Sequence, residues 1–155
     1  MSIKETQPLV SIIIPHYGGT KILQRCLESL NNVDYAENEI IVVDNNSPDD
    51  SIKIVQNTFP HVKLILSEYN RGFAGGCNFG AEHAVGEYLL ILNNDTEHEK
   101  DWTPHLIQRI ESDNNISSVQ PKIKNYNNRE YFDYSGGSGG FMDKYCSPFV
   151  RGRVF

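Results

Sequence analysis

The strongest indication of the fold comes from the segment Glu39-Ile-Ile-Val-Val-Asp-Asn-Asn-Ser47. Its four aliphatic residues, 40–43, are all β-branched, and an unbroken run of this kind is typical of a strand buried on both faces of a parallel sheet. The run ends at Asp44, where polar residues typical of a turn begin. A buried strand followed at once by a polar turn predicts an α/β protein, in which ligands bind at the carboxyl ends of the strands.

Three further apolar runs, at residues 9–14, 61–66 and 87–92, predict three more strands. Apolar residues at helical spacing predict helices, which we expect at 20–31, 49–58, 75–85 and 101–111. A fifth strand is expected at 116–119. Strands and helices that alternate with short connections indicate βαβ units, and therefore a Rossmann-like, mostly parallel sheet with helices on both faces.

The composition is that of one globular unit of 155 residues, with 39% hydrophobic and 22% charged residues. Twenty acidic against 14 basic residues give a net charge of −6, which argues against nucleic acid as a partner. The chain has three cysteines, an odd number, and none of them forms a CxxC pair: Cys26, Cys77 and Cys146. This pattern argues against a disulfide scaffold or a zinc module and predicts a cytoplasmic location. No apolar run approaches the roughly 20 residues of a transmembrane helix.

The segment Asn70-Arg-Gly-Phe-Ala-Gly-Gly-Cys-Asn-Phe-Gly80 is rich in glycine, yet it matches neither of two common phosphate-binding motifs. A dinucleotide fingerprint fails because Ala74 and Cys77 stand at its second and third glycine positions. A P-loop fails because Ala81-Glu82 replaces its Lys-Ser/Thr pair. Two explanations remain. Either the turn lays its backbone and Arg71 close to a ligand, or its glycines permit a tight crossing from strand to helix.

Two polar turns also have the composition of a binding site. Asp44 can accept hydrogen bonds from a base imide or a ribose hydroxyl, or it can close an Asx-turn or cap a helix. Asn93-Asn94-Asp95 can hold a hard divalent cation that also takes diphosphate oxygens, or it can be an ordinary turn. His98 and His105 are further candidate metal ligands, although histidines on surface helices are commonly solvated.

Four segments occur in order at regular spacing: Val10-Ser-Ile-Ile-Ile-Pro-His-Tyr17, Glu39-Ile-Ile-Val-Val-Asp-Asn-Asn-Ser47, Asn70-Arg-Gly-Phe-Ala-Gly-Gly-Cys-Asn-Phe-Gly-Ala81 and Gly86-Glu-Tyr-Leu-Leu-Ile-Leu-Asn-Asn-Asp-Thr96. Together they resemble the inverting family 2 glycosyltransferases of the GT-A fold, and within them the rhamnosyltransferase-like branch. The resemblance covers about residues 9–120. It implies transfer of a sugar from a UDP- or dTDP-sugar, with inversion, to a saccharide or lipid-linked acceptor in cell-surface polysaccharide synthesis.

The resemblance also implies roles for individual residues. Asp95 matches the last acid of the family's DxD-type metal motif, so Mn²⁺ or Mg²⁺ is expected there, and Asn93 takes the first position of that motif. The residues implied to bind the nucleotide are Pro15, Tyr17, Asp44, Asn46, Asn70, Arg71, Gly72, Asn78 and Asn93. Asn78 is expected at the start of a helix, and His16 departs from the commoner family pattern.

Residues 1–120 therefore correspond to the nucleotide-sugar-binding half, and residues 121–155, rich in Gly, Asn and aromatic side chains, to the start of an acceptor-side region. The family's general base is an Asp or Glu in a downstream ED-type motif. Nothing in 121–155 matches that motif, and neither Asp133 nor Asp143 has its context. The catalytic base is therefore unknown, and we expect the chain to be truncated after the donor half.

Two alternatives stay open. A donor-binding module without transferase activity fits a chain that lacks the base. A sugar nucleotidyltransferase would need a basic, Gly-rich loop after the first strand, where only Lys21 is basic. A lipid-linked acceptor predicts peripheral membrane association of the full-length enzyme. The aromatic side chains of 121–155 offer an apolar surface that a second copy could cover, which predicts a homodimer.

Overall fold

A computed structural model of the chain describes residues 7–133, 140–142, 144 and 148–150. Its elements run in the order β1 (Val10–His16), α1 (Thr20–Leu30), β2 (Asn38–Asp44), α2 (Ser51–Thr58), β3 (Lys63–Leu66), α3 (Gly72–Ala81), β4 (Tyr88–Ile91), α4 (Trp102–Glu111), β5 (Gly140–Met142) and β6 (Pro148–Val150). Strands and helices alternate through α4, as the apolar periodicity predicts.

The first four strands form one parallel sheet in the order β3-β2-β1-β4. Ile12 of β1 lies between Ile40 of β2 and Leu90 of β4, and Val43 of β2 lies beside Ile65 of β3. Every residue of β1 is buried. The predicted parallel α/β sheet is confirmed, and its inner strands are continuous apolar runs because both of their faces are covered.

Helices cover both faces of this sheet. β2 and β3 follow β1 in one direction, whereas β4 returns to the other side of β1. Because crossovers between parallel strands are right-handed, α1 and α2 lie on one face and α3 lies on the other. The core on the α3 face consists of Ile13, Ile41, Val43 and Ile65, with Phe79, Ala81 and Ala84 packed against them. The helices of the opposite face bury Leu23, Leu27 and Val55.

Gly80 sets how closely α3 approaches the sheet. A Cβ on this residue would overlap the side chain of Ile13 and would lie 2.9 Å from Cγ2 of Val43. The helix can therefore pack on β1 and β2 only because position 80 carries no side chain. At this position, the tight crossing explains the glycine.

We expect Gly80→Ala to lower the free energy of unfolding by about 1–3 kcal/mol, because an extra methyl group in a filled core forces its neighbours apart. Urea denaturation measures the change. Ala74→Ser, an exposed position of the same helix, is the control and should stay within about 0.5 kcal/mol of the parent chain. Equal stability of Gly80→Ala and the parent would contradict the close packing described above.

The fifth strand expected at residues 116–119 is wrong: the structure describes these residues and places no strand there. Asp113 closes a turn just before them, since its side chain accepts a hydrogen bond from the N–H of Asn115 and its carbonyl accepts one from the N–H of Ile116. Only two of the four residues, Ile116 and Val119, are apolar, so the segment has no apolar face to bury in a sheet.

The predicted bounds of the third helix, 75–85, are also wrong, because α3 runs from Gly72 to Ala81. Glycine favours turns and disfavours helix interiors, but packing against the sheet overrides that preference here. Asn78 consequently lies in the second turn of α3 and not at the helix start, where it was expected.

The chain divides into two compact units, Met1–Asp101 and Trp102–Phe155. The second unit contains α4, the antiparallel pair β5–β6 and a bridge between Lys124 and Phe132. The predicted functional boundary at residue 120 stays a prediction, and residues 134–139, with most of the glycine run 136–140, lie outside the described residues. No helix among the described residues has the length and apolar character needed to cross a membrane.

Candidate functional site

Four polar turns meet at the carboxyl edge of the sheet, where the strand order reverses between β1 and β4. They comprise residues 15–19, 44–47, 69–72 and 93–96. Three hydrogen bonds join them: Gly18 N–H to Ser47 Oγ at 2.9 Å, Asn45 Nδ2 to the Gly72 carbonyl at 3.3 Å, and Asn94 Nδ2 to His16 Nδ1 at 2.8 Å. The turns therefore meet at the kind of edge where open α/β sheets bind ligands.

Asp44 ends β2 and is 8% exposed. Its Oδ1 accepts a hydrogen bond from the N–H of Ser47, three residues on, at 3.1 Å, and this bond holds the turn of residues 44–47. Within the part of the chain that the structure describes, its Oδ2 makes no hydrogen bond. The two interpretations of Asp44 are therefore compatible, because one carboxylate oxygen shapes the turn while the other is left for a ligand.

The other residues implied to surround the nucleoside differ in exposure. Tyr17 is 56% exposed just after β1. Pro15 is buried inside β1, and a Cβ on Gly76 would lie only 3.1 Å from its Cβ, so Pro15 packs against α3. Asn46 is exposed and has a φ of 64°, a left-handed conformation that asparagine tolerates better than most residues. Of these three, Tyr17 and Asn46 have side chains that a ligand can reach.

Arg71 is held in place from three sides. Its guanidinium lies 4.7 Å from the ring centroid of Tyr69 and 4.1 Å from that of Phe79, and its Nε donates to Ser67 Oγ at 2.8 Å. These contacts fix the cation without neutralising it. In residues 7–133, its two terminal nitrogens make no hydrogen bond, so they can meet an anion.

The neighbours of Arg71 shape the turn. Oδ1 of Asn70 accepts a hydrogen bond from the N–H of Gly72 at 2.8 Å. Gly72 has a φ of 68°, a left-handed conformation that favours glycine, and α3 begins at this residue. Asn78 is exposed on the same helix. The structure thus gives Asn70 and Gly72 a role in the shape of the turn, and their contact with a nucleotide stays a prediction.

The turn after β4 carries the candidate cation site. Asn93 and Asp95 have exposed side chains, and Thr96 Oγ1 donates to the Asn93 carbonyl at 2.8 Å. No group of three or more His, Cys, Asp or Glu side chains among the described residues could hold a metal ion. A single carboxylate nevertheless suits Mg²⁺, which proteins commonly bind through one or two carboxylates together with substrate phosphates. The residues therefore fit a cation that arrives with a diphosphate.

His98 is wrong as a candidate metal ligand. Its Nδ1 lies 2.8 Å from Oγ of Ser29 and its Nε2 lies 3.1 Å from Oγ1 of Thr96, so both ring nitrogens are engaged. Burial lowers the pKa of His98 to about 4. The other candidate, His105, belongs to the second compact unit. His98 instead holds the turn after β4 against α1.

His16 is a buried residue that the sequence did not mark as part of the site. Its side chain connects the turn after β1 with the turn after β4 and with α2, and its carbonyl accepts a hydrogen bond from the N–H of Asn45 at 2.8 Å. It is 1% exposed, with its Nε2 2.9 Å from Oγ of Ser51 and its Nδ1 2.8 Å from Nδ2 of Asn94. Ser51 Oγ lies 2.5 Å from Oδ1 of Asp49, whose Oδ2 accepts a hydrogen bond from the N–H of Gly19 at 2.8 Å. A continuous chain of hydrogen bonds therefore runs from the turn after β4 to the start of α1.

The directions of these hydrogen bonds follow from Asp49. A carboxylate only accepts, so Ser51 donates its single hydroxyl proton to Asp49 and accepts from His16. Nε2 of His16 therefore carries the ring proton and Nδ1 accepts from the amide nitrogen of Asn94. Burial lowers the pKa of His16, although the charges of Asp49 and Asp44 raise it, and this favours the neutral ring. The Ser51 hydrogen bond lowers the pKa of Asp49, which favours its charged form.

Solved structures first define the class of protein. The mannosyltransferase PcManGT from Pyrobaculum calidifontis, in complex with GDP-Man and Mn²⁺, matches with a TM-score of 0.62 and 24% identity over 77% of this chain and 35% of that chain. S. aureus TarS 1–349 in complex with UDP matches with a TM-score of 0.61 and 27% identity over 76% of this chain and 40% of that chain. The fold is an α/β fold of the GT-A type.

Sequence comparison then defines the family. The model of Glycosyl transferase family 2 matches residues 11–148, and the chain belongs to this family. GalNAc(5)-diNAcBac-PP-undecaprenol beta-1,3-glucosyltransferase of Campylobacter jejuni is 35% identical over 94 residues, which are 58% of this chain and 30% of that protein. Chondroitin synthase of Escherichia coli is 31% identical over 121 residues, 76% of this chain and 18% of that protein. The chain therefore spans less than a third of these relatives.

We expect His98 to make stability depend on pH. Its pKa is about 4 in the folded chain and 6.5 as the ordinary value, so the unfolded chain binds more protons between these values and stability rises with pH there. The contribution is complete above about pH 6.5 and is lost as the pH falls towards 4. Urea denaturation from pH 4 to 7 should show a shallower pH dependence for His98→Gln than for the parent. An unchanged slope in His98→Gln would contradict the assignment.

Proposed function

We propose that this chain binds the nucleoside diphosphate part of a UDP- or dTDP-sugar at the carboxyl edge of its sheet, and that the protein transfers the sugar with inversion to a saccharide or lipid-linked acceptor. The observation that carries the proposal is the meeting of four polar turns around Asp44, whose Oδ2 is left for a ligand. Uracil and thymine each have an imide N–H, which can donate a hydrogen bond to a carboxylate. The UDP complex of TarS supports a uridine nucleotide.

The proposed site would hold the two ends of the donor by different groups. Asp44 and the exposed Tyr17 would contact the nucleoside, and the guanidinium of Arg71 would face the diphosphate with its free terminal nitrogens. Because Tyr69 and Phe79 already fix Arg71, little side-chain entropy is lost when the anion binds.

Asp95 and Asn93 would hold Mn²⁺ or Mg²⁺ beside the diphosphate. When bound, such a cation neutralises the charge that develops on the leaving nucleoside diphosphate. The guanidinium of Arg71 would stabilise the same developing negative charge. Inversion requires the acceptor hydroxyl to attack the anomeric carbon from the side opposite the leaving nucleoside diphosphate. A general base must take the proton of that hydroxyl, and we assign no residue of this chain to that role.

The relatives suggest the setting of the reaction. The name of the Campylobacter jejuni relative contains an undecaprenol-linked glycan, and the Escherichia coli relative is a synthase of chondroitin, a polysaccharide. We propose that the whole protein builds a cell-surface glycan from the cytoplasmic side, as a peripheral membrane protein and a homodimer. The second candidate function is donor binding without transfer, which the lack of an ED-type motif in residues 121–155 favours. Consumption of a UDP-sugar by the 155-residue chain alone would exclude it.

Asp44→Ala should weaken UDP and dTDP binding by about 1–3 kcal/mol, because a charge-assisted hydrogen bond to the base is lost. Titration calorimetry measures the affinity. Asp34→Ala is the matched control, since it removes the same charge from an exposed position before β2, whereas Asp44 ends that strand. Unchanged affinity for both nucleotides in Asp44→Ala would refute the assignment.

Asp95 should make cation and nucleotide binding mutually dependent. One carboxylate is a poor site alone and diphosphate oxygens complete the shell, so each ligand should tighten the other by the same factor, about 5- to 150-fold. We would titrate Mn²⁺ with and without UDP, and UDP with and without Mn²⁺. Glu99→Ala removes one charge from an exposed position four residues on and serves as the control. Tight Mn²⁺ binding that ignores UDP, or that persists in Asp95→Ala, would count against the site.

A further inference from the structure

We propose that His16 is a positioning residue for the cation and diphosphate site: its Nδ1 accepts a hydrogen bond from Asn94 and thereby fixes the turn that carries Asp95. The inference rests on the proposed function, since it concerns how that site is built. It assigns a role to a side chain that the binding residues named above do not include.

The geometry shows why this turn needs an anchor. Among the described residues, the last backbone hydrogen bond between β1 and the chain after β4 joins the N–H of Leu92 to the Ile13 carbonyl at 3.0 Å. Beyond Leu92, the side chain of Asn94 reaches back to His16 at the end of β1, at 2.8 Å. Asp95 is the next residue, and its own side chain is exposed. The Asn94–His16 hydrogen bond therefore holds the backbone next to this carboxylate against β1, while the hydrogen bonds of His98 hold the far end of the turn against α1.

The hydrogen-bond chain also fixes which way Asn94 faces. Because Asp49 forces Ser51 to donate to it, Ser51 accepts from Nε2 of His16, and Nδ1 is left as an acceptor. If Asn94 rotated its amide, its oxygen would oppose the Nδ1 lone pair, acceptor against acceptor. His16 is 1% exposed, so bulk water does not reach its ring to replace the lost hydrogen bond. One orientation of Asn94 is therefore favoured, and with it one arrangement of the turn.

Two substitutions at position 16 each keep one of the two hydrogen bonds of the imidazole and remove the other. In His16→Asn, the side-chain oxygen can take the place of Nδ1 and keep the bond to Asn94, while the bond to Ser51 is lost. In His16→Gln, the longer amide can reach Ser51 but leaves Asn94 without its partner. Both variants remove the ring from the same buried position, so their difference reports on the Asn94 bond.

The measured quantity is the ratio of the UDP dissociation constant in EDTA to that in Mn²⁺, by titration calorimetry. The parent chain should show a ratio of about 5 to 150. His16→Asn should keep most of this ratio, whereas His16→Gln should reduce it towards 1. Asn94→Leu should reduce it in the same way, and the double variant Asn94→Leu with His16→Gln should show no further fall, because both remove one interaction.

Ser11→Ala is the matched control for a loss of stability. Ser11 is buried at the other end of β1 and is hydrogen-bonded to Glu39 and Gly86, so its loss should lower the thermal midpoint without changing the ratio. Nitrogen-15 spectra of the free chain give a second readout. They should show His16 neutral with its proton on Nε2.

The outcomes discriminate between the two hypotheses. A parent chain that binds no UDP would overturn the proposed function, and with it this role of His16. A parent that shows the cation effect while His16→Gln keeps the full ratio would overturn this inference alone. An equal loss of UDP affinity with and without Mn²⁺ in His16→Gln would show a merely structural role. A ring proton on Nδ1 would contradict the proposed direction of the bonds.

Discussion

β1 is buried on both faces and along both edges, and this burial governs how the strands and turns around it are joined. The strand lies between β2 and β4, and all seven of its residues are buried. A buried polar group left without a partner costs about 1–3 kcal/mol, so the polar side chains of this strand must be paired inside the protein. Ser11 meets this demand at one end through Glu39 and Gly86, and His16 meets it at the other. The central strand is thereby tied to the segments beside it at both ends.

Much of the sheet could be predicted from the sequence because inner parallel strands are covered on both faces. The runs at 9–14 and 40–43 correspond to β1 and β2, and the polar residues after each run had to lie at the carboxyl edge. The bounds were harder to predict. The apolar run predicts a first strand that ends at residue 14, yet proline fits an extended backbone and lacks only its N–H, so β1 continues through Pro15 to His16. That extension places the imidazole within the buried strand.

For the site, too, some residues could be predicted from their neighbours in the sequence and others could not. Asp44 and Asn93 to Asp95 could be predicted as site candidates because each follows its own apolar run. The partners of His16 could not be predicted, since Ser51 and Asn94 lie 35 and 78 residues away in sequence. They meet only because the strand order reverses at β1 and brings the ends of β4 and β2 to either side of it. No local spacing contains that information.

The burial of the site residues divides them into a rigid frame and an open ligand shell. His16 and Asp44 are buried and hydrogen-bonded before any ligand binds, whereas Asn93 and Asp95 are exposed. An exposed carboxylate keeps its hydration, so it gains little from a cation alone and holds it firmly only when diphosphate oxygens complete the shell. By linkage, loss of the nucleotide then weakens the hold on the cation by the same factor. A frame that fixes the backbone of the turn, with a ligand shell left in water, therefore suits the proposed site, at which a charged donor would bind tightly and its product would leave after each turnover.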